Sequence, residues 1–388
     1  MSDLKFNPVF AGLPTTIFTV MSALAVEHNA VNLGQGFPDE DGPLSIREIA
    51  AKVLREGPNQ YPPTRGRIEL RRAVAAHAKR FYGLDFNPDT DVVVTSGGTE
   101  ALTAAIMGLA GEGGEVVLIE PSYDSYRPIA EAVGAKIKTV KLAPPDWRLN
   151  ADALAAAITP QTRVVMLNSP LNPIGRAFTR EELEGVARVI AKSNAVVVCD
   201  EVYEHLIFDG REHIPLIALP GMRERCVRIG SAGKMFSLTG WKVGWVAGDA
   251  RVIDPIAKAH QFITFTTPPA LQLGIAHALE HEIDFTLALT KQLQSHRDLL
   301  VENLPRFGFE LLPCEGSYFL TASIAKLTNE PDVTFCERLV KEAGVALIPL
   351  SVFFSGDKPD NLVRFAFCKN RATLEEALMR LERYFEPR

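Results

Sequence analysis

Short, unbroken apolar runs recur along the first two thirds of the chain: Val92–Thr95, Val116–Ile119, Val164–Leu167, Val196–Cys199, Val227–Ile229 and Val243–Ala247. Runs this short, without polar alternation, fit strands buried on both faces, as a largely parallel sheet requires. Between them, apolar positions spaced three and four apart predict helices over Ser45–Arg55, Gly66–Phe81, Glu100–Ala110, Tyr123–Val133, Asn150–Ile158 and Arg180–Lys192. The last opens on Thr179 followed three positions later by Glu182, the spacing of a capping box. The segment Leu4–Gly42 is rich in Pro, Gly and Asn and reads as an arm and loops.

After about residue 250 the pattern changes. A long helical region over Ala270–Asn303 leads to strands near Phe309–Leu312 and Ser317–Ala322. A helix at Thr334–Ala343, a strand at Asn361–Phe367 and a C-terminal helix at Thr373–Tyr384 follow. The expected architecture is α/β: a large domain, residues 46–275, with a mostly parallel central sheet flanked by helices, and a smaller α+β domain, 276–388. Residues 1–45 form an arm packed with the small domain. At 388 residues the chain exceeds one typical core, in keeping with that division.

Composition narrows the function classes. Hydrophobic content of 47% with 23% charged residues is that of a globular protein, and a net charge of −6 offers no basic field for nucleic acid. No apolar stretch runs to membrane-spanning length without Gly, Pro or charge, and Met1-Ser-Asp-Leu-Lys5 does not open a signal peptide. The five cysteines (199, 226, 314, 336 and 368) have neither metal-ligand nor disulfide-framework spacing, and Cys199 reads as a small core residue. These features fit the cytoplasm, with no nucleic-acid or membrane partner and no metal.

The chemistry concentrates at the predicted strand ends. Lys234 lies in a small-residue loop, with Ser231 three positions before it and Lys242 eight after. Asp200 closes the apolar run Ala195–Cys199, and Tyr203 follows three residues later. A lysine nucleophile, a strand-end carboxylate, and hydroxyl and cationic groups for a phosphate together suit pyridoxal phosphate, an electron sink that needs each of those partners. A carboxylate about 4 Å from a pyridine nitrogen favours its protonated form by ~4 kcal/mol at an effective dielectric near 20, about three pKa units. After the strand Val92–Thr95, a glycine turn feeds a helix N-terminus, where free backbone N–H groups suit an anion; Gly98 and Thr99 are the candidates. Asn172, in an Asn-Pro turn beyond Val164–Leu167, and Tyr123, after another strand end, are placed to meet the ring by hydrogen bond and by stacking. Arg364, inside the apolar run Leu362–Phe367, is costly unless it meets an anion, and its fork matches a carboxylate.

These residues resemble the class I/II aminotransferases, the fold-type-I pyridoxal-phosphate family, over nearly the whole chain from Asn32-Leu-Gly-Gln-Gly-Phe-Pro-Asp39 to Arg364. The resemblance implies Lys234 as the Schiff-base lysine and later proton shuttle, Asp200 on the pyridine nitrogen, and Tyr203 and Asn172 on the ring oxygen. It implies Gly98, Thr99, Ser231 and Lys242 around the phosphate, Tyr123 stacked on the ring, Arg364 on the substrate α-carboxylate and Gly36 near the substrate. Asn59–Gly66 is similar to the segment whose tyrosine reaches the phosphate of a neighbouring subunit, which would make Tyr61 part of the partner's site in a homodimer. The motifs around Gly36 and Lys234 are most similar to the kynurenine/glutamine/methionine transaminase branch. Two departures stand out: Lys242 where many relatives carry arginine, and Ile174 where threonine is common. The implied reaction is ping-pong transamination between an L-amino acid, expected to be large and neutral, and a 2-oxo acid. Phe37, Tyr123, Phe353 and Phe354 suggest an aromatic-friendly pocket. Cysteine-conjugate β-lyase chemistry, and transfer from aspartate or N-succinyldiaminopimelate, remain as alternatives.

Overall fold

The computed structural model describes residues 4–386. Its seven-stranded sheet has the order Val92–Thr95, Gly244–Gly248, Cys226–Ser231, Val196–Asp200, Thr162–Asn168, Glu115–Glu120, Lys136–Lys141. Gly244–Gly248 runs antiparallel to both of its neighbours, and the other pairings are parallel. The parallel strands therefore end at one edge of the sheet, and the antiparallel strand begins there. Ligands in open α/β sheets gather at that edge. Val92–Thr95, Glu115–Glu120, Cys226–Ser231 and Gly244–Gly248 are buried along their length, as expected of apolar runs covered by helices on both faces. One of those layers pairs Gly97–Leu109 with Ala250–Ile263.

Two elements of this domain lie outside the sequence expectation. Lys136–Lys141 is an edge strand whose alternating lysines look polar in sequence but keep an exposed edge soluble. Ala250–Ile263 is helical, with Asp249 capping its N-terminus and Pro255 inside it; the proline disguises it as a breaker. The long helix expected over Ala270–Asn303 is two, Pro269–His281 and Ile283–Asn303, meeting at Glu282. Pro269–His281 packs on Leu44–Glu56 and Ile68–Tyr82, so the domain division we propose runs at Glu282 rather than inside that helix at 275.

The second sheet has the order Ile348–Pro349, Leu362–Ala366, Phe319–Ser323, Glu310–Leu311 and is antiparallel. Helix Asp332–Ala343 packs on Ile348–Pro349 and Leu362–Ala366, and Arg371–Phe385 packs on that helix and on Val345–Ala346. The segment expected to be arm and loops holds a helix, Ile17–Glu27, whose N-cap Thr16 accepts the Thr19 backbone N–H. It buries Met21 and Ala25 and packs on Asp332–Ala343. Val31–Asn32 then pairs in parallel with Val345–Ala346, tying the segment to the C-terminal part. Pro8–Glu27 is apolar as a stretch, with mean hydropathy 1.8. The chain breaks it at 13–16 into helices of 5 and 11 residues, each short of the roughly 20 a span needs. The signal-peptide expectation rests partly on Met1–Asp3, outside the described residues.

Candidate active site

Every candidate site residue except Tyr61, Phe353 and Phe354 lines one cavity of about 360 Å³ at the carboxyl edge of the large sheet. The sheet topology explains why. Val92–Thr95 delivers Gly98 and Thr99, Glu115–Glu120 delivers Tyr123, Thr162–Asn168 delivers Asn172, Val196–Asp200 delivers Asp200 and Tyr203, and Cys226–Ser231 delivers Ser231 and Lys234. Lys242 precedes Gly244–Gly248, and because that strand is antiparallel its start lies at the same edge.

At one end of the cavity, the helix Gly97–Leu109 opens with no side-chain cap on its first N–H groups. Glu100 instead reaches back to accept the Ser96 N–H at 2.7 Å and is held by His260 Nδ1 at 2.8 Å. Gly97 has φ of +78°, which favours glycine, and a Cβ there would come within 3.3 Å of Lys242 Nζ. Lys242 itself takes a left-handed conformation, φ 53°, to turn its ammonium toward this helix start. Backbone donors, a cation and the Thr99 and Ser231 hydroxyls thus converge, a donor set suited to a phosphate.

Asp200 forms the floor and is buried. Burial pushes its carboxyl up to about 6, although the Tyr126 hydroxyl donates to it at 2.6 Å and opposes the rise. Such a carboxylate is primed to pair with a cation. Its loop is anchored from below by the buried Arg228, which donates to Glu201 at 2.7 Å and Glu204 at 2.6 Å. Burial also pushes the Tyr203 hydroxyl up, so it stays protonated as a donor. The Lys234 amine is drawn down to about 8, chiefly by burial. The more neutral amine this leaves is the form that attacks a carbonyl or takes a proton.

Arg364 lies within the antiparallel strand Leu362–Ala366 and is only 1% exposed. It donates to Asn172 Oδ1 at 2.9 Å and to the Gly34 carbonyl at 2.8 Å, its Nε is left without a partner, and its guanidinium stacks 4.0 Å from the Phe319 ring centroid. Burial lowers its pKa to about 10, as for a cation awaiting an anion. Asn172 is fixed in turn by donating its N–H to Asn168 Oδ1 at 2.7 Å.

Some expectations change. Phe353 and Phe354 do not line the cavity: Phe353 lies behind the Arg364 guanidinium, and Phe354 packs toward Trp147. Phe353 is a core residue, and the half-buried Phe354 packs against that core. Phe18 and Phe319 take the aromatic wall in their stead, together with Phe37 and Tyr123. Tyr61 is 83% exposed, with its ring edge-on to Phe265, and does not enter this chain's cavity. Tyr126, Tyr318, Phe18, Phe319 and Asp124 escaped sequence reasoning. Only Tyr126 had a signal, its three-residue spacing from Tyr123 at the start of one helix.

A family model described as "Aminotransferase class I and II" matches residues 28–381. The chain is 45% identical over 378 residues to a probable N-succinyldiaminopimelate aminotransferase DapC of Mycobacterium tuberculosis, covering 95% of each. It is 37% identical to a kynurenine–oxoglutarate transaminase of Dictyostelium discoideum, covering 93% of this chain and 92% of that one. The structure of YbdL from Escherichia coli, whose reactivity identified a methionine aminotransferase function, superposes with a TM-score of 0.95 at 41% identity, covering 98% of this chain and 99% of that one. The chain belongs to the class I and II aminotransferases, a pyridoxal-phosphate-dependent enzyme family of fold type I, and is an aminotransferase.

Proposed function

We propose that this enzyme moves the amino group of a large neutral L-amino acid, of the methionine, glutamine, kynurenine or phenylalanine kind, to a 2-oxo acid, with pyridoxal 5′-phosphate as its resident cofactor. The observation that carries the donor class is the cavity wall. Phe18, Phe37, Tyr123 and Phe319 face it, Arg364 is the one arginine among its described lining residues, and Asp124 adds a negative charge. One guanidinium fork matches the α-carboxylate every donor carries. A second carboxylate on the donor side chain would meet aromatic rings and Asp124 instead of a cation, and so remain unpaired.

The donor set fits the cofactor. Uncapped helix N–H groups, Thr99, Ser231 and Lys242 would hold the phosphate, Asp200 the ring nitrogen, Tyr203 and Asn172 the ring oxygen, and Tyr123 one ring face. When bound, the cofactor supplies the electron sink for charge released at the substrate Cα. The chain's own residues do the rest. Lys234 would hold the cofactor, and its amine, once free, would take the Cα proton and give it back later in the transfer. Asp200 holds a proton on the ring nitrogen, while Arg364 and Gly36 orient the donor. Tyr61, exposed on this chain, is our candidate for completing the phosphate site of a second copy in a homodimer. The cytoplasm remains the compartment we assign.

The Mycobacterium tuberculosis relative's name supports a second reading, N-succinyldiaminopimelate as donor. A panel of donors against several 2-oxo acids separates the two. The proposal expects kcat/KM for methionine or kynurenine to exceed that for aspartate and N-succinyldiaminopimelate. A preference for either of these acidic donors would refute the assigned class. Within the same assay, Arg364→Lys keeps a charge but loses the fork, so KM for the donor is expected to rise roughly 10- to 100-fold, the value of a charged hydrogen bond. An unchanged KM would remove Arg364 from carboxylate binding.

A further inference from the structure

We propose that Tyr318 is a positioning residue which, together with the Gly36 carbonyl, holds the free Lys234 amine so that its lone pair faces the cavity. The proposal rests on the reading of Lys234 as the group that moves the Cα proton. Three distant parts of the chain meet at this amine. Tyr318 precedes the strand Phe319–Ser323, Gly36 lies in the N-terminal arm, and Lys234 follows Cys226–Ser231. Lys234 Nζ is 2.6 Å from the Tyr318 hydroxyl and 3.3 Å from the Gly36 carbonyl, and the hydroxyl is 2.6 Å from that same carbonyl.

Donor counting fixes the directions. A phenol has one hydrogen, and a carbonyl can only accept, so the Tyr318 hydrogen goes to Gly36. Its oxygen is left to accept from Lys234. A neutral amine has two hydrogens, and here they meet two acceptors, the Tyr318 oxygen and the Gly36 carbonyl. Tetrahedral geometry then turns the nitrogen lone pair away from both acceptors, and Asp200, Tyr203 and Gly98 line the cavity that Lys234 shares. Tyr318 does not compete as a base, because burial pushes its hydroxyl upward. The arrangement is rigid. Tyr318 is 1% exposed and packs edge-on to Tyr203 at 5.1 Å. A Cβ on Gly36 would fall 2.7 Å from Phe319 Cζ, so only glycine brings the carbonyl this close.

Without the tyrosine oxygen, the amine keeps one weak acceptor and rotates. Such a loss of aim costs rate more than binding, of the order of 10²-fold for a misplaced group. Tyr318→Phe keeps the ring and removes the oxygen. With a Cα-deuterated donor, kcat is expected to fall roughly 10- to 100-fold with a larger isotope effect, while KM moves less than about two-fold. A second readout needs no turnover: the pH dependence of Lys234 acetylation in the full-length, cofactor-stripped chain, followed by peptide mass spectrometry. The oxygen favours the charged amine, so its loss is expected to lower the acetylation midpoint by about one pH unit. If the phenylalanine variant does not fold, 4-fluorophenylalanine at position 318 fills the space of the hydroxyl with a far weaker acceptor that carries no proton, and a shift in the same direction is expected. A midpoint unchanged from wild type, in whichever of the two variants folds, overturns the proposal. A wild-type enzyme that transaminates no donor defeats the functional reading instead, which the acetylation profile does not depend on.

Discussion

Lys234→Ala is expected to lose the absorbance of lysine-bound cofactor and at least roughly 10⁴-fold in transamination, because one substitution removes both the covalent anchor and the proton carrier that we propose. The geometry offers no substitute. Lys242 is the other lysine lining the cavity, and it is turned against Gly97 at the opposite, phosphate end. The Lys234 amine is also the one drawn down to about 8 by burial, so about a tenth is uncharged at neutral pH, far more than for an ordinary lysine. Cofactor retained by its phosphate contacts alone would leave an unshifted spectrum of free aldehyde. The half-reaction with methionine, followed spectroscopically, separates the two losses. Full turnover by this variant would dismiss Lys234 from both roles.

The second large effect belongs to Asp200. Asp200→Asn keeps the shape and removes the charge, so the ring nitrogen loses a stabilisation of about 4 kcal/mol and kcat is expected to fall roughly 10³-fold. The pH dependence has a definite sign. In the cofactor-free chain the carboxyl is raised from 3.8 to about 6, so below that it binds a proton in place of a cationic partner. Cofactor retention by the wild type is therefore expected to weaken as pH falls through about 6, and to stay flat in Asp200→Asn. Between 3.8 and about 6 the native cofactor-free chain holds a proton that the unfolded chain has released, so this group's contribution to stability declines as pH rises through that window. Tyr126→Phe removes the donor at 2.6 Å and should move the retention limb to higher pH. Titration of cofactor retention against pH in the three proteins checks all of this. A wild-type limb that Asp200→Asn shares would assign it to another group.

Much of this site was readable before any coordinates, for a topological reason. Residues at the carboxyl ends of parallel strands project to one edge, so a list of strand ends is already a list of neighbours. Val92–Thr95 was legible to the residue, and Asp200 stood out as a carboxylate ending an apolar run. Legibility failed where local pattern and tertiary role diverge. Lys136–Lys141 carries its lysines at exposed positions on the outermost strand, and Pro255 sits inside a helix that survives on packing against Gly97–Leu109. Tyr318 is a buried tyrosine with no local sign of what its hydroxyl meets, since its partners are 84 and 282 residues away. Phe18 lies in a segment whose Pro and Gly content masks the helix Ile17–Glu27. Phe353 and Phe354 erred the other way: apolar residues near a binding arginine are more often its backing than its pocket.

The central claim is that the cofactor is carried on Lys234, at the meeting point of the large sheet, the arm and the small sheet. Borohydride reduction of the cofactor-loaded wild type, followed by peptide mapping, tests it most directly. The account predicts one pyridoxyl group per chain, on the peptide containing Lys234 and no other. A label on Lys242 or any other lysine, or no label on protein loaded with cofactor, would contradict it.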